Sequence, residues 1–184
     1  KSSEKIFFKN KDDMKLFINE KIVTDKQIGL LPGSGVNLDY FKPIDQVINN
    51  EKNIFRFVFC GRLIWEKGIA ELVEAIAILK CKGLQFECFL FGSLDLSDKR
   101  SVSKKTLKKW ESDNLVKYGG VLTDIRQELV RSSCVVLPSY REGAPRALLE
   151  ASSMGIPIIT TNVEGCRDVV DDQITGLICD PKNA

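Results

Sequence analysis

The chain has 184 residues and a formal net charge of +2, and 43% of its residues are apolar while 28% are charged. This composition is ordinary for a soluble globular protein with a buried core, and the small net charge gives no argument for a nucleic-acid partner. Histidine is absent, which excludes serine–histidine and cysteine–histidine nucleophiles, histidine metal ligands and histidine general bases.

The amino-terminal segment predicts two short strands around a helix. Ile6 to Phe8 is apolar, Asp12 and Asp13 are candidate caps for the helix that follows, and Ile28 to Leu31 forms the second strand. That strand ends in a turn cluster, Pro32 to Gly35, and a polar connector follows.

The turn cluster invites comparison with the glycine-rich fingerprint of dinucleotide-binding proteins. Gly33 and Gly35 match its G-x-G start. Leu38 stands where the third glycine belongs, and Pro43 disfavours a helix running straight on. We therefore reject that interpretation.

From Phe55 onwards, apolar runs alternate with helical patterns. The predicted strands are Phe55–Cys60, Phe86–Phe91, Leu115–Tyr118, Cys134–Leu137, Pro157–Thr160 and Leu177–Cys179. The predicted helices are Gly68–Leu79, a lysine-rich segment around Leu107, Asp124–Val130, one from Pro145, and a short one near Asp168. Most strands are continuously apolar, as in sheets covered by helices on both faces. The pattern predicts an α/β fold with a doubly wound, mostly parallel sheet, in which ligands bind at the carboxyl ends of the strands.

Cations follow the first strand of this series. Arg62 and Lys67 lie on a turn that we expect to be exposed, directly before a helix whose amino terminus adds partial positive charge. This combination suits a diphosphate, although both side chains are equally typical of a solvated loop. After the next strand, Gly92 and Ser93 are small enough to let a ligand approach the backbone.

Two carboxylates flank the start of the Pro145 helix. Pro145 suits a first helical turn, so Glu142 lies in the preceding loop and Glu150 within the helix. Taken singly, Glu142 reads as a surface acid and Glu150 as the partner of a neighbouring cation. Their predicted position at the same sheet edge as Arg62 and Lys67 favours a phosphate-and-sugar site.

Other conspicuous residues have simpler interpretations. The lysine-rich helix contains apolar Leu107 and Trp110, which favours a solvated basic face over a functional patch. Trp65 and Trp110 are expected to be packing residues. The cysteines form no C-x-x-C pair, so we expect free, buried thiols in a reducing, cytoplasmic compartment. No apolar run reaches the ~18 residues of a membrane span, and no signal peptide opens the chain.

Four ordered segments resemble the retaining glycosyltransferases of GT-B architecture, specifically family 4. Glu142 and Glu150 have the spacing of the E-x7-E motif of that family. The other three segments are similar to its G-x-G-V-[DN]-x-x-x-F stretch (Gly33 to Phe41), its G-R…K-G segment (Gly61 to Gly68) and its G-x-x-E-x-V…G-x-L tail (Gly165 to Leu177, with Asp168 where glutamate is usual). The resemblance covers nearly the whole chain.

The resemblance implies a role for each matching residue. Arg62 and Lys67 would bind the donor diphosphate, and Glu150 would accept hydrogen bonds from the ribose. Glu142 would be the catalytic-site carboxylate that holds the transferred sugar, as a nucleophile or as electrostatic support. The sugar and the phosphates would also contact Gly143, Ala144, Pro145 and the Arg146 amide. The base would contact the backbone near Leu122.

The resemblance also implies a co-substrate and partners. It implies a nucleotide-sugar donor, most simply a UDP-sugar, a saccharide or lipid-linked acceptor, and cell-surface polysaccharide synthesis. No cofactor or metal is expected, because the two cations can stabilise the leaving diphosphate and no D-x-D motif lies at a predicted strand end. Residues 1–184 would form the donor-binding domain, inactive alone, with the amino-terminal acceptor domain outside this chain. Any association with the inner face of the plasma membrane would come through that domain.

Two alternatives remain open at this point. One is a sugar-nucleotide epimerase of the same architecture, against which the lack of histidine counts. The other is a non-catalytic flavodoxin-like interaction domain, against which the charged residues gathered at the strand ends count.

Overall fold

The computed structural model describes residues 4–31, 33, 35–44 and 54–184. Pro32 and Ser34 of the predicted turn cluster, and most of the polar connector, lie outside the described residues. Within them the strands form two separate parallel sheets.

The smaller sheet is the amino-terminal unit. Strand β1 (Ile6–Phe8) leads into helix α1 (Lys11–Asn19), and β2 (Ile28–Leu30) returns parallel to β1. The helix is capped by Asn10, whose side chain accepts a hydrogen bond of 2.7 Å from the Asp13 amide. The prediction that Asp12 or Asp13 caps this helix was therefore wrong, because both lie inside its first turn.

The larger sheet has six strands, all parallel. In chain order its strands are β3 (Phe55–Cys60), β4 (Phe86–Phe91), β5 (Lys117–Gly120), β6 (Cys134–Leu137), β7 (Ile158–Thr161) and β8 (Gly176–Cys179). The helices between them are α2 (Ile69–Cys81), α3 (Lys104–Ser112), α4 (Arg126–Val130) and α5 (Arg146–Ser153).

The strand order across the larger sheet is β5-β4-β3-β6-β7-β8. The chain moves outward from β3 in one direction and then returns to β6 to move outward in the other. The order therefore reverses between β3 and β6, which is where doubly wound sheets bind ligands. The predicted fold class is confirmed.

Burial explains why the central strands are mostly apolar. Every residue of β6 is buried, and Val58, Phe59 and Val135 are fully inaccessible. Trp65 and Trp110 pack edge-to-face with ring centroids 6.1 Å apart and lie against this core, which confirms their packing role. In the described part of the chain no helix is both long and apolar enough to cross a membrane.

Helix α4 begins at Arg126 rather than Asp124, and Pro145 is the N-cap of α5 rather than part of its first turn. Two further predicted elements differ more from the structure. Strand β5 begins at Lys117 because Leu115 closes the end of α3, its amide donating to the Trp110 carbonyl at 2.9 Å. The predicted short helix near Asp168 was wrong, since that segment is a series of turns. Gly165 adopts a φ of 75° there, which is incompatible with a right-handed helix.

Candidate functional site

A cleft of about 1160 Å³ lies at the carboxyl ends of β3 and β6, where the strand order reverses. The predicted site residues that line it are Arg62, Lys67, Leu122, Glu142, Ala144, Pro145, Arg146 and Glu150. Gly143 lines a smaller cleft of about 320 Å³, which shares Arg62, Lys67 and Glu142 with the larger one. The structure thus brings all the predicted site residues to one edge of the sheet, while their individual roles stay predictions.

Glu142 lies between the two clefts in the loop from β6 to α5. Its Oε1 pairs with the Lys67 ammonium and also accepts a hydrogen bond of 2.7 Å from the Ser139 hydroxyl. The side chains of Lys67 and Glu142 are only 19% and 11% exposed. Since such a pair is shielded from solvent on most sides, its charges interact more strongly than a surface pair would.

The expectation that Lys67 lies on an exposed loop was therefore wrong. It ends a 3-10 turn, Trp65–Lys67, and the next residue, Gly68, has a φ of 69°. A Cβ atom on Gly68 would stand 2.0 Å from the Pro138 carbonyl oxygen, so this glycine allows the turn to approach the end of β6 closely. That approach brings Lys67 to Glu142.

Ser139 is a site residue that the sequence reasoning missed. It is fully buried, and its carbonyl oxygen accepts a hydrogen bond of 2.5 Å from the Thr161 hydroxyl at the end of β7. The available signal was a serine two residues after the end of an apolar strand and three residues before a carboxylate. Ser139 therefore fixes the Glu142 carboxylate to the sheet itself.

Arg62 lies in the loop after β3, beside the loop that follows β4. It is exposed, and no described carboxylate lies within salt-bridge distance of it. The close approach that Gly92 permits is to protein rather than to a ligand: its φ is 143°, and an added Cβ would lie 1.7 Å from the Gly61 carbonyl oxygen. Gly92 thus allows its loop to pack against the backbone of Gly61, next to Arg62, and it does not line the cleft.

Glu150 is buried within α5, with 8% of its surface exposed. Burial raises its pKa above the ordinary value of 4.5, and the charge and hydrogen bond of Arg146, at 3.1 Å, act in the opposite direction. Both interpretations of this residue thus describe it in part, since it pairs with a neighbouring cation and also lines the cleft. Burial, with a smaller contribution from the Glu150 charge, raises the pKa of Cys60 in the same cleft to about 11.

At the far end of the cleft, near Leu122, Arg126 contacts both an aromatic ring and a carboxylate. The guanidinium of Arg126 stands 3.6 Å from the centroid of the Tyr40 ring and bonds to Asp124, with Nη2 to Oδ2 at 2.6 Å. Those hydrogen bonds hold the pKa of Asp124 at about 2. Leu122 is 39% exposed, so an apolar side chain and an aromatic ring are both open to a flat ligand at this end.

Metal-binding features are not apparent in the described ranges. No group of three or more carboxylates and thiols among those residues could hold a metal ion. All six cysteines are described and are free thiols, as predicted. The expectation that they are buried is confirmed for Cys88, Cys134 and Cys166, whereas Cys81 and Cys179 are exposed because they lie at the end of α2 and on the edge strand β8.

Curated relatives with glycosyltransferase names match most of the chain. It is 30% identical over 178 residues to the N,N'-diacetylbacillosaminyl-diphospho-undecaprenol alpha-1,3-N-acetylgalactosaminyltransferase of Campylobacter jejuni, covering 91% of this chain and 45% of that protein. It is 27% identical over 187 residues to the UDP-Gal:alpha-D-GlcNAc-diphosphoundecaprenol alpha-1,3-galactosyltransferase of Escherichia coli, covering 97% and 48%. The chain thus spans about half the length of these relatives.

Solved structures share the fold. Anabaena HepE in complex with UDP and glucose matches with a TM-score of 0.82 at 20% identity, over 98% of this chain and 50% of that one. A glycosyltransferase from Rickettsia africae matches with a TM-score of 0.79 at 22% identity, over 98% and 50%. These likenesses agree with the Rossmann-like half of a GT-B fold.

A family model matches most of the chain. The model described as Glycosyl transferases group 1 matches residues 41–184, which includes both carboxylates, both cations and every strand of the larger sheet. Because this match covers most of the chain, the protein belongs to the glycosyl transferases group 1 family.

Proposed function

We propose that this chain is the donor-binding half of a retaining glycosyltransferase of family 4 type. The donor is a nucleoside diphosphate sugar, most simply a UDP-sugar, and the acceptor is a saccharide or lipid-linked saccharide in cell-surface polysaccharide synthesis. The observation that carries the proposal is the convergence of Arg62, Lys67, Glu142 and Glu150 on one cleft at the point where strand order reverses.

The chemistry of these four side chains suits such a donor. Two cations stabilise the charge that develops on a leaving diphosphate, so the site needs no metal ion or other cofactor. Carboxylates accept hydrogen bonds from hydroxyl groups, and the cleft holds one on either side of the α5 amino terminus. In this arrangement Glu142 faces the sugar and Glu150 the ribose, with the amides of Gly143 to Arg146 between them.

The names of the relatives support the choice of substrates. The Escherichia coli relative is named for UDP-Gal and a diphosphoundecaprenol-linked acceptor, and the Campylobacter jejuni relative for a diphospho-undecaprenol-linked one. The family match also favours a transferase over the epimerase and the flavodoxin-like domain. We therefore propose a cytoplasmic enzyme that works on lipid-linked sugars at the inner face of the membrane.

The acceptor is bound elsewhere in this proposal. Transfer requires donor and acceptor to be held in contact, and such positioning can be worth ~7–11 kcal/mol of the barrier. We assign the acceptor to a further domain of the enzyme that closes over Glu142. The chain of 184 residues alone is then expected to bind the donor without transferring sugar.

Two alanine variants test the assignment of the carboxylates. The affinity of each for UDP and for UDP-glucose, UDP-galactose and UDP-N-acetylgalactosamine is measured by calorimetry. Glu150→Ala should weaken UDP and UDP-sugars alike, because both contain the ribose. Glu142→Ala should leave UDP unaffected and weaken only the UDP-sugars.

The matched control is Glu74→Ala, which removes an exposed carboxylate of α2 outside the cleft. It should change neither affinity. If Glu142→Ala weakens UDP as much as the UDP-sugars, the proposed sugar role of Glu142 is wrong.

A further inference from the structure

The amino-terminal unit of β1, α1 and β2 has a small core of its own. Phe8 and Val23 are buried, and the rings of Phe8 and Phe17 meet edge-to-face with centroids 5.1 Å apart. Neither Phe8 nor Val23 belongs to the core cluster of the larger sheet. The two buried side chains therefore pack within the unit itself. The contacts of the unit with the rest of the chain that are described next are polar.

Those contacts involve polar side chains of the first turn of α1. Asp13 pairs with Arg141, which directly precedes Glu142. Asp12 pairs with Arg167, in the turns after β7. Both pairs are partly exposed, so each alone is a weak attachment.

Asn10 adds a buried contact between these two ion pairs. It is 3% exposed, and its amide nitrogen donates to the Glu142 carbonyl oxygen at 3.3 Å and to Asp13 Oδ2 at 3.0 Å. Its side-chain oxygen caps α1 by accepting a hydrogen bond from the Asp13 backbone amide. One side chain thus begins the helix and holds the backbone of the Glu142 loop.

The same loop also contacts the turn after β7. The Glu142 amide donates to the Glu164 carbonyl oxygen at 3.2 Å, and a Cβ on Gly165 would lie 2.6 Å from the Glu142 carbonyl oxygen. The turn that provides these contacts also carries Arg167, the partner of Asp12. The Glu142 backbone therefore contacts both the 164–165 turn and the start of α1, and these two segments are themselves joined by an ion pair.

We propose that the first turn of α1 positions the Glu142 carboxylate for the donor sugar, so that Asn10, Asp12 and Asp13 are positioning residues for this enzyme. The proposal rests on the sugar role given to Glu142 above. It adds that the sugar contribution to donor affinity depends on a unit outside the larger sheet. A displacement of α1 would alter recognition of the sugar while leaving the cations and Glu150 in place.

The variants are chosen to separate positioning from folding. Asn10→Asp keeps an oxygen to cap α1 but removes the amide that donates to Glu142. Asp13→Arg and Arg141→Asp each break their ion pair, and the double variant restores it with reversed charges. Asp25→Asn, in the 3-10 turn before β2, is the control for a lost carboxylate elsewhere in the unit.

The measured quantity is the ratio of the Kd for UDP to the Kd for whichever of UDP-glucose, UDP-galactose or UDP-N-acetylgalactosamine binds the unaltered chain most tightly. Each single variant of Asn10, Asp13 or Arg141 should lower this ratio by about three- to tenfold with the UDP affinity held within about twofold. The charge-reversed double variant should recover it, and the Asp25 control should not change it. The amide NMR signal of Gly143 should shift in the same single variants and return in the double variant.

A purely structural role predicts lower thermal stability with an unchanged ratio and an unshifted Gly143 signal, and that result overturns the proposal. Glu142→Ala distinguishes the two levels of the argument. If Glu142→Ala lowers the ratio and the α1 variants do not, the positioning role alone is wrong. If Glu142→Ala itself leaves the ratio unchanged, the sugar role given to Glu142 in the proposed function is wrong, and the positioning role is wrong as well.

Discussion

Lys67 and Glu142 form an ion pair in the cleft that is largely shielded from solvent. An ammonium group has three N–H donors, so Lys67 can bind the diphosphate proposed for it while it keeps its pairing with Glu142. The Ser139 hydroxyl also holds the Glu142 carboxylate, independently of Lys67. The diphosphate role proposed for Lys67 and the sugar role proposed for Glu142 are therefore expected to be separable by mutation.

The two cations should differ when each is replaced by alanine. Arg62→Ala should weaken UDP binding without loss of stability, because Arg62 is exposed and no described carboxylate lies within salt-bridge distance of it. Its charge acts on Asp98 only from a longer distance. Lys67→Ala should weaken binding and also lower the free energy of unfolding by ~1–3 kcal/mol, because it leaves a largely buried carboxylate without its cation. Urea denaturation of both variants measures this.

A double-mutant cycle with Glu142→Ala isolates the pair. The Lys67→Ala/Glu142→Ala variant should be less destabilised than the sum of the single variants. Additive losses would mean that the ion pair has no net effect on stability.

Glu150 should give UDP binding a pH dependence. Because burial raises its pKa in the folded chain, its contribution to stability is complete below the unfolded value near 4.5 and is lost as the pH rises through the folded value. Binding has the opposite sign, since the ribose is better bound by the ionised carboxylate. UDP affinity should therefore rise with pH above 4.5, and Glu150→Gln should remove that rise.

Calorimetric titrations of UDP across this pH range, on the unaltered chain and on Glu150→Gln, check the expectation. UDP itself titrates at mildly acidic pH, so the difference between the two proteins is the informative quantity. If UDP affinity changes with pH in the same way for both proteins, the proposed ribose role of Glu150 is wrong.

At the scale of elements, the central strands were the most predictable part of the fold. The bounds of β3, β4 and β6 agree with the sequence because each is a mostly apolar run, as is typical of strands covered by helices on both faces. The edge strand β5 and the segment near Asp168 were less predictable, since their bounds depend on how α3 ends and on a glycine conformation.

The candidate site shows the same division. The residues at strand ends that line the cleft could be named from the sequence, because parallel strands place their carboxyl ends together. The pairing of Lys67 with Glu142 and the hydrogen bond from Asn10 to the Glu142 loop could not, because each joins segments that are distant in sequence. The Ser139 contact is local, but it depends on the conformation of the loop after β6, which the sequence does not specify.

The 164–168 turns should be sensitive at Gly165. Gly165→Ala forces a φ of 75° on a residue with a Cβ and places that atom against the Glu142 and Gly143 carbonyl oxygens. Gly155→Ala is the matched control, with a φ of 71° and nothing within 4 Å of the added atom. The control should cost only the ~1–2 kcal/mol of a left-handed conformation.

Gly165→Ala should cost more than the control in urea denaturation and should also weaken UDP-sugar binding relative to UDP. Equal losses in the two variants would show that the turn can adjust without disturbing the Glu142 loop.

At the scale of the whole molecule, the chain carries the cleft proposed to bind the donor at the reversal of strand order, and the amino-terminal unit contacts a residue of that cleft through the start of α1. Its relatives are about twice as long. This organisation suits an enzyme in which one half binds the donor and another supplies the acceptor.

The chain alone should therefore show no transfer above background. An assay of this chain beside a longer protein that contains it, with the same UDP-sugar and lipid-linked acceptor, tests this expectation. A rate for the chain close to that of the longer protein would require an acceptor site within these 184 residues.

Calorimetry of the unaltered chain with nucleoside diphosphates tests the central claim most directly. UDP should bind at millimolar concentration or below, with the same affinity in EDTA as in magnesium, since Arg62 and Lys67 provide the positive charge. GDP and ADP serve as comparisons for the base. No heat with any of the three diphosphates at millimolar concentration would contradict the account.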